Sequence, residues 1–228
     1  MKISIIGSGL VGSQTALLML LGDVVDKVYL YDKNHIKASG EAMDINQCMS
    51  VLNNEKECIT NDDISIIDDS DIIIVAVGRR RIVDEIRTDL FTPNKNDVMD
   101  VCNSIKTHAP NAVILMVTNP SEDFAKLARE LTSCVVHPIG TDLDTARLRE
   151  LIHMKTSTPR REITSYVSGE HGENMIIHGT DDATAKECIR IAIDTISKKG
   201  ATVYAPAMSI VNEVRRIIEQ DKESGEKK

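Results

Sequence analysis

The chain opens with the stretch MKISIIGSGLVG (residues 1–12), in which an apolar run leads directly into a Gly-x-Gly-x-x-Gly pattern. Gly7 permits a tight turn, Gly9 lets backbone N–H groups approach a pyrophosphate, and Gly12 lets the following helix pack closely on the strand. The helix N-terminus adds partial positive charge at the same place. This stretch therefore predicts a strand, a phosphate-binding turn and a helix, which together open a dinucleotide-binding fold.

An acidic residue follows where such a fold requires one. Asp32 ends a second apolar run, KVYLYD (residues 27–32), twenty residues after Gly12. A carboxylate there accepts hydrogen bonds from the adenosine ribose and repels a 2′-phosphate, which favours NAD over NADP. The neighbouring Lys33 works against this preference because it would attract such a phosphate. We expect NAD as the cofactor, bound by Asp32 and by the fingerprint residues Gly7, Ser8, Gly9, Leu10, Val11 and Gly12.

Strand and helix patterns alternate along the first half of the chain. Nearly continuous Ile/Val runs at residues 71–78 and 111–120 are typical of parallel strands covered by helices on both faces. The segments between these runs have helical periodicity. The pattern predicts an α/β fold with a doubly wound parallel sheet, and we place this nucleotide-binding domain at residues 1–142.

The composition argues against several classes of partner. The 228 residues carry a formal net charge of −8, which opposes non-specific binding to nucleic acid or to an anionic membrane. No apolar run is long enough to cross a bilayer and no signal-peptide pattern is present, so we expect a cytoplasmic protein. The five cysteines lie far apart and form no CxxC pair. They indicate neither a disulfide framework nor a metal site.

Three further segments contain residue types that catalysis uses. His171, in VSGEHGEN (residues 167–174), is either a general base or only a polar loop residue. Asp144 and Arg147 share one face of a predicted helix start, as functional side chains or as a surface salt bridge. The arginines of GRRRIVDEIRTDL (residues 78–90) follow a predicted strand end, where open sheets bind ligands. A solvated basic loop would have the same composition.

Taken in order, these motifs resemble those of the lactate/malate dehydrogenase family, particularly its malate dehydrogenase-like branch. The resemblance spans nearly the whole chain and rests on GSGLVG, YLYD, GEAMDIN, VGRRRIVDEIRTDL, VTNP, GTDLDTARLRELI, GEHGEN and KKGATVYAPAMSI. It implies an NAD-dependent oxidoreductase that transfers a hydride reversibly between (S)-malate and oxaloacetate.

The resemblance also implies a role for each matching residue. His171 is the proton acceptor, Asp144 orients its ring, and Arg87 polarises the reacting carbonyl oxygen. Arg147 binds the C1 carboxylate, and Arg81 pairs with the second carboxylate of the dicarboxylate substrate. The remaining matches are the cofactor contacts Gly78, Asn94, Val117, Thr118 and Asn119, and the substrate contacts Arg87, Asn119 and Thr202.

The chain departs from the family pattern in its second half. After GEHGENM it reaches KKGAT early, and after residue 220 it has a charged tail where the family continues. The resemblance therefore implies a reduced α+β substrate domain at residues 143–228, and family membership implies a homodimer or homotetramer.

Two alternative functions stay open. One is a lactate or other 2-hydroxyacid dehydrogenase, which would differ at Arg81. The other is a non-catalytic NAD-binding or scaffold protein that retains the motifs. Within the basic run, a register slip among Arg79, Arg80 and Arg81 would change which arginine meets the substrate.

Overall fold

The computed structural model of the protein describes residues 1–82, 85–172 and 174–225. Six parallel strands form its central sheet, in the order β3-β2-β1-β4-β5-β6. These strands are β1 (Ile3–Ile6), β2 (Lys27–Tyr31), β3 (Glu57–Thr60), β4 (Ile72–Val75), β5 (Val113–Met116) and β6 (Val135–Pro138).

Helices connect and cover these strands. They are α1 (Leu10–Leu21), α2 (His35–Val51), α3 (Phe91–His108), α4 (Ser121–Leu131), α5 (Thr141–Thr156), α6 (Asp182–Lys199) and α7 (Tyr204–Gly225). Short 3₁₀ turns occur at Ile64–Ile67, Arg87–Leu90 and Arg160–Glu162. Two short strands, β7 (Tyr166–Ser168) and β8 (Ile176–His178), form a separate antiparallel pair. In the part of the chain that the structure describes, no helix has the length and apolar character needed to span a bilayer.

The central strands are buried because helices cover both faces of the sheet. Every residue of Ile3–Ile6 and Ile72–Val75 is buried, and their side chains enter two apolar clusters. One cluster contains residues of α1, α2 and α7, and the other contains residues of α3 and α4. Such an arrangement explains the continuous Ile/Val runs, since neither face of the sheet meets water. The predicted α/β fold with a doubly wound parallel sheet is confirmed.

The strand order reverses at the centre of the sheet. The chain passes from β1 to β2 on one side, whereas β4 pairs with β1 on the other side. Ligands bind at such a reversal, outside the carboxyl ends of the strands. Here Gly7 follows β1 so closely beside the end of β4 that a Cβ on Gly7 would lie 2.4 Å from the carbonyl oxygen of Ala76. The predicted phosphate turn and the arginine segment therefore begin side by side.

The second part of the chain contributes to both the site and the sheet's core. Helix α6 packs on α5, and strand β7 of the β7–β8 pair also packs on α5. Helix α7 instead returns to α1, where Ile210, Val211 and Val214 are fully buried in the cluster beneath β1. The predicted domain boundary after residue 142 falls in the first turn of α5, and it stays a prediction.

Candidate active site

One cleft of about 430 Å³ collects most of the residues singled out from the sequence. It lies at the carboxyl ends of β1, β4 and β5, where the reversal of strand order predicts a binding site. Its wall includes Gly9, Leu10, Val11, Gly78, Arg79, Arg80, Arg81, Arg87, Val117, Thr118, Asn119, Arg147, His171 and Thr202. Segments that are far apart in sequence thus converge on one cavity.

A histidine–carboxylate pair lies at this cleft, with His171 in the cleft wall. His171 Nδ1 is 2.5 Å from Asp144 Oδ2, and the two side chains expose 5% and 3% of their surfaces. An ionised Asp144 can only accept a hydrogen bond, so Nδ1 carries the proton and Nε2 is the nitrogen that can exchange a proton with a ligand. Burial of this kind does not suit a polar loop residue.

The charges around the pair favour a neutral imidazole beside an ionised carboxylate. Burial lowers the pKa of His171, and the hydrogen bond that Nδ1 donates to Asp144 opposes that effect without cancelling it. For Asp144, burial acts to raise the pKa, but the hydrogen bond from His171 and the charges of His171, Arg147 and Arg87 together lower it. The pair is therefore poised to take up a proton at Nε2.

Gly140, at the N-terminus of α5, makes room for the histidine ring. A Cβ at this position would lie 2.1 Å from His171 Cγ, and no real contact is that short. Because the ring lies directly against the backbone of Gly140, any larger residue there would displace the ring from Asp144. The glycine of the GTDLD segment is therefore explained by its approach to His171.

Two partly buried arginines, Arg147 and Arg87, lie near the pair. Arg147 Nη1 donates to Asp144 Oδ1 at 3.0 Å, and the arginine side chain exposes 11% of its surface. The alternative of a surface salt bridge does not fit that burial. Burial also lowers the pKa of Arg87 to about 10, against the opposing charge of Asp144. Guanidinium groups in this position can bind an anionic substrate through charge-assisted hydrogen bonds.

The three consecutive arginines have different surroundings. Arg79 donates through Nη1 and Nη2 to the Glu85 carboxylate, at 2.8 and 2.5 Å, and Arg80 is exposed. Arg81 is partly buried, and its Nε donates to the backbone oxygen of Glu85 at 2.6 Å. Glu85 therefore holds two arginines of this segment through different atoms. Val83 and Asp84 of the predicted loop, and Glu173 of the histidine segment, lie outside the described residues.

Asp32 closes the nucleotide end of the site. Its Oδ2 accepts hydrogen bonds from Ser8 N and Ser8 Oγ at 2.7 and 3.0 Å, and its Oδ1 accepts one from Asn34 N at 2.9 Å. Lys33 forms an ion pair with Asp97, with Nζ 2.6 Å from Oδ1. That ion pair places a carboxylate beside the Lys33 ammonium group and so weakens its attraction for a 2′-phosphate. Gly7, Ser8, Gly12 and Asp32 lie beside the cleft and not in its wall.

The residues present fit a bound dinucleotide. A Cβ on Gly9 would meet no other atom within 4 Å, so open space lies above the turn where α1 begins. The pyrophosphate of a dinucleotide would occupy such a space at a helix N-terminus. At the other end of the cleft, Asn119 Oδ1 is buried and has no hydrogen-bond partner among the residues that the structure describes. A carboxamide N–H of a nicotinamide ring would satisfy that acceptor.

Asn94 acts within the protein framework. It is buried, its Oδ1 accepts the N–H of Arg79 at 2.8 Å, and its Nδ2 donates to the backbone oxygen of Asn119 at 3.3 Å. A Cβ on Gly78 would lie 2.5 Å from that Oδ1, which explains the glycine. Asn94 is not in the wall of the cleft, and its predicted cofactor contact stays a prediction.

Two acidic residues near the cleft were not found from the sequence. Glu85 binds Arg79 and Arg81, as described, and Glu122 accepts the backbone N–H of His171 at 2.8 Å. A local signal existed for Glu122, since it lies in the first turn of α4, directly after the TNP segment. No local pattern links it to a histidine 49 positions later.

Fold and site together define the class of NAD-dependent dehydrogenases, in which a Rossmann-type sheet places a buried histidine–carboxylate pair beside the nucleotide turn. The family model described as the lactate/malate dehydrogenase NAD binding domain matches residues 1–137. The chain belongs to the lactate/malate dehydrogenase family.

Individual relatives include both kinds of enzyme. L-lactate dehydrogenase 1 of Clostridium acetobutylicum is 30% identical over 245 residues, covering 96% of this chain and 76% of the relative. Malate dehydrogenase of Archaeoglobus fulgidus is also 30% identical, over 231 residues, covering 96% and 78%. The structure of that archaeal enzyme in complex with NADH superposes with a TM-score of 0.86. The prediction of NAD as cofactor is confirmed, and overall identity does not separate malate from lactate.

Proposed function

We propose that this protein is an NAD-dependent malate dehydrogenase that interconverts (S)-malate and oxaloacetate. The observation that carries the proposal is the partly buried Arg81 in the wall of a cleft that also contains Arg87 and Arg147. A dicarboxylate offers one carboxylate to Arg147 and a second to Arg81. A monocarboxylate would desolvate Arg81 without offering that second charge, which disfavours its binding.

The surroundings of the basic segment support Arg81 over its neighbours. Arg79 and Arg80 are both exposed to solvent, whereas Arg81 is partly buried. Arg81 is bound through Nε to a backbone oxygen, which orients its guanidinium group. Arg81 also holds the position that distinguishes dicarboxylate from monocarboxylate substrates in the family resemblance.

The proposed chemistry assigns one task to each side chain. Bound NAD supplies the acceptor for the hydride that leaves C2 of malate. As the C–O bond becomes a carbonyl, His171 Nε2 accepts the hydroxyl proton, and Asp144 stabilises the imidazolium that forms. Arg87 stabilises the negative charge that develops on the same oxygen. Gly78, Val117, Thr118 and Asn119 contact the nicotinamide half of the cofactor in this proposal, and Thr202 borders the substrate.

The substrate proposal is tested by NADH oxidation with oxaloacetate and pyruvate in parallel. We expect a higher kcat/KM with oxaloacetate, and a lower kcat/KM when NADPH replaces NADH because Asp32 repels the 2′-phosphate. Arg81→Gln removes a charge-assisted pair and should lower kcat/KM for oxaloacetate on the order of tenfold to a hundredfold, with little effect on pyruvate.

Arg80→Gln is the matched control, because it removes an equal charge at an exposed neighbouring position. The proposal fails if pyruvate is the better substrate of the wild-type protein. A change of preference in Arg80→Gln, with none in Arg81→Gln, would show that the assignment within the arginine run is wrong.

A lactate dehydrogenase is the second candidate, because a lactate-specific relative is as similar in sequence as a malate-specific one. It predicts a higher kcat/KM with pyruvate than with oxaloacetate in the same assay. The non-catalytic alternative predicts measurable NADH binding with turnover of neither keto acid.

Association into a homodimer or homotetramer is part of the proposal. Large apolar side chains are exposed on α2 and at the start of α7, with 76% of Ile36, 59% of Met43 and 67% of Tyr204 accessible. Burial of such side chains against another copy would stabilise the assembly. Light scattering at micromolar concentration should give two or four times the mass of one chain. Met43→Glu should lower that mass, whereas a monomeric wild-type protein would contradict association.

A further inference from the structure

We infer that Glu122 is a positioning residue that fixes the backbone of the catalytic loop at His171. The inference rests on the proposed role of His171 as proton acceptor. It concerns a carboxylate in the first turn of α4 and a loop 49 residues further along the chain, which are joined by a hydrogen bond from His171 N to Glu122 Oε1.

Both oxygens of the Glu122 carboxylate have a donor. Oε1 accepts the backbone N–H of His171 at 2.8 Å, and Oε2 accepts the hydroxyl of Ser121 at 2.9 Å. Ser121 is completely buried and follows Pro120, so the backbone at the start of α4 is held in place. A carboxylate near a helix N-terminus is also stabilised by the helix dipole. The hydrogen bond from Ser121 therefore orients the Glu122 side chain independently of its contact with the histidine loop.

The histidine loop needs such an anchor because glycines flank it. Gly169 and Gly172 have φ angles of 83° and 140°, which residues with a Cβ rarely adopt. Glycine leaves the backbone with many accessible conformations. His171 is held at its ring by Asp144 and at its backbone by Glu122, so two separate elements fix the two ends of one residue. Loss of the backbone anchor would let the ring drift relative to a bound substrate.

Glu122 also acts on the neighbouring arginine. Burial lowers the pKa of Arg87, and the negative charge of Glu122 opposes this larger effect. Glu122, Arg87 and His171 border a second, smaller cavity of about 100 Å³ behind the main cleft. Asp123, the other acidic residue of the first turn of α4, borders the same cavity. Glu122 differs from Asp123 because its carboxylate accepts the backbone N–H of His171.

That other residue, Asp123, provides a matched control. It lies one position further along the same helical turn, exposes 46% of its side chain, and is 3.9 Å from Lys126 across the surface. Glu122→Ala removes the acceptor for His171 N–H, whereas Glu122→Gln keeps an oxygen that can accept it. Asp123→Ala removes an equal charge at the edge of the same cavity and keeps the hydrogen bond between Glu122 and His171 N. The four proteins, including the wild type, are compared by kcat, by KM for oxaloacetate, by NADH titration and by hydrogen exchange of the His171 amide.

We expect Glu122→Ala to lower kcat on the order of tenfold to a hundredfold, because a small displacement of a catalytic group has effects of that size. KM for oxaloacetate and the Kd for NADH should change much less, and the His171 amide should exchange faster. Glu122→Gln should restore both kcat and slow exchange, and Asp123→Ala should match the wild type. Counting NADH sites separates lost positioning from lost folding, since unfolded protein binds no NADH.

Wild-type kcat in Glu122→Ala would overturn the inference, and so would an equal loss in Glu122→Gln. If the wild-type protein turns over neither keto acid, the proposed function fails and the exchange measurement alone decides the inference. Unchanged exchange of the His171 amide in Glu122→Ala then overturns it, and faster exchange that Glu122→Gln reverses supports it.

Discussion

His171→Asn should lower turnover of oxaloacetate a hundredfold or more while the Kd for NADH stays nearly unchanged. Asparagine cannot carry a proton to and from the substrate, and positioned acid–base groups contribute about 10²–10⁴-fold to rate. The backbone N–H that donates to Glu122 is kept, so the loop retains that anchor. Steady-state assays at saturating NADH, together with NADH titration of the same preparation, measure the two quantities.

His178→Asn is a suitable control for that variant. His178 lies on β8, where its ring stacks on Tyr166 and its Nε2 is 2.8 Å from Ser168 Oγ, and it is not in the wall of the cleft. It should keep nearly wild-type turnover. Activity of His171→Asn above a tenth of the wild-type value would contradict the proposed role of His171.

The protonation state of His171 should determine whether kcat/KM rises or falls with pH. Malate oxidation needs neutral His171, so its kcat/KM rises as pH increases through the pKa of that group in the free protein. Burial lowers this pKa below the ordinary value of 6.5, so the rise should be complete near neutral pH. Oxaloacetate reduction needs the protonated ring, and its kcat/KM should fall over the same range.

Gly12→Ala should abolish NADH binding and lower the melting temperature. The added Cβ would lie 1.9 Å from the backbone oxygen of Gly7, and a backbone atom cannot move aside without displacing the turn. Overpacking of this kind costs about 1–3 kcal/mol or more. For a domain of this size, that loss lowers Tm by roughly 2–4 °C per kcal/mol. Calorimetry and NADH titration measure both effects.

Two other glycines separate the effect on folding from the effect on binding. Gly9→Ala adds a methyl group where no atom lies within 4 Å, so Tm should hold while the methyl group obstructs the pyrophosphate. Gly40→Ala adds a methyl group in the middle of α2, where again no atom lies within 4 Å. It should raise the free energy of unfolding by about 0.5–1 kcal/mol because alanine is a better helix former than glycine. A Gly12→Ala protein that melts with the wild type would show that the turn tolerates a side chain.

The central sheet and the nucleotide turn could be predicted from sequence because their signals are local. Continuous apolar runs such as Ile72–Val75 reflect burial on both faces, and the glycine spacing reflects one turn. The three-residue spacing of Asp144 and Arg147 likewise predicted a shared helix face. It did not predict that both would be buried, since spacing alone does not report what covers a helix.

Contacts between distant segments had no such signal. The resemblance to a known family paired His171 with Asp144, whereas periodicity and composition left the histidine open. The hydrogen bond from His171 N to Glu122 joins a loop to the first turn of α4, and the proximity of the two depends on how α4 and α5 pack around the sheet. No local pattern in the sequence identified α1 as the helix on which α7 packs.

The packing of α7 on α1 constrains the order in which the protein can fold during synthesis. All six strands of the sheet are translated by Pro138, yet Ile210, Val211 and Val214 belong to the cluster beneath β1. A ribosome-bound chain therefore exposes one side of this cluster until α7 emerges from the exit tunnel. Hydrophobic burial of α7 against this cluster drives the last step of folding. The sheet therefore reaches its full stability only after the segment that contains His171 has been synthesised.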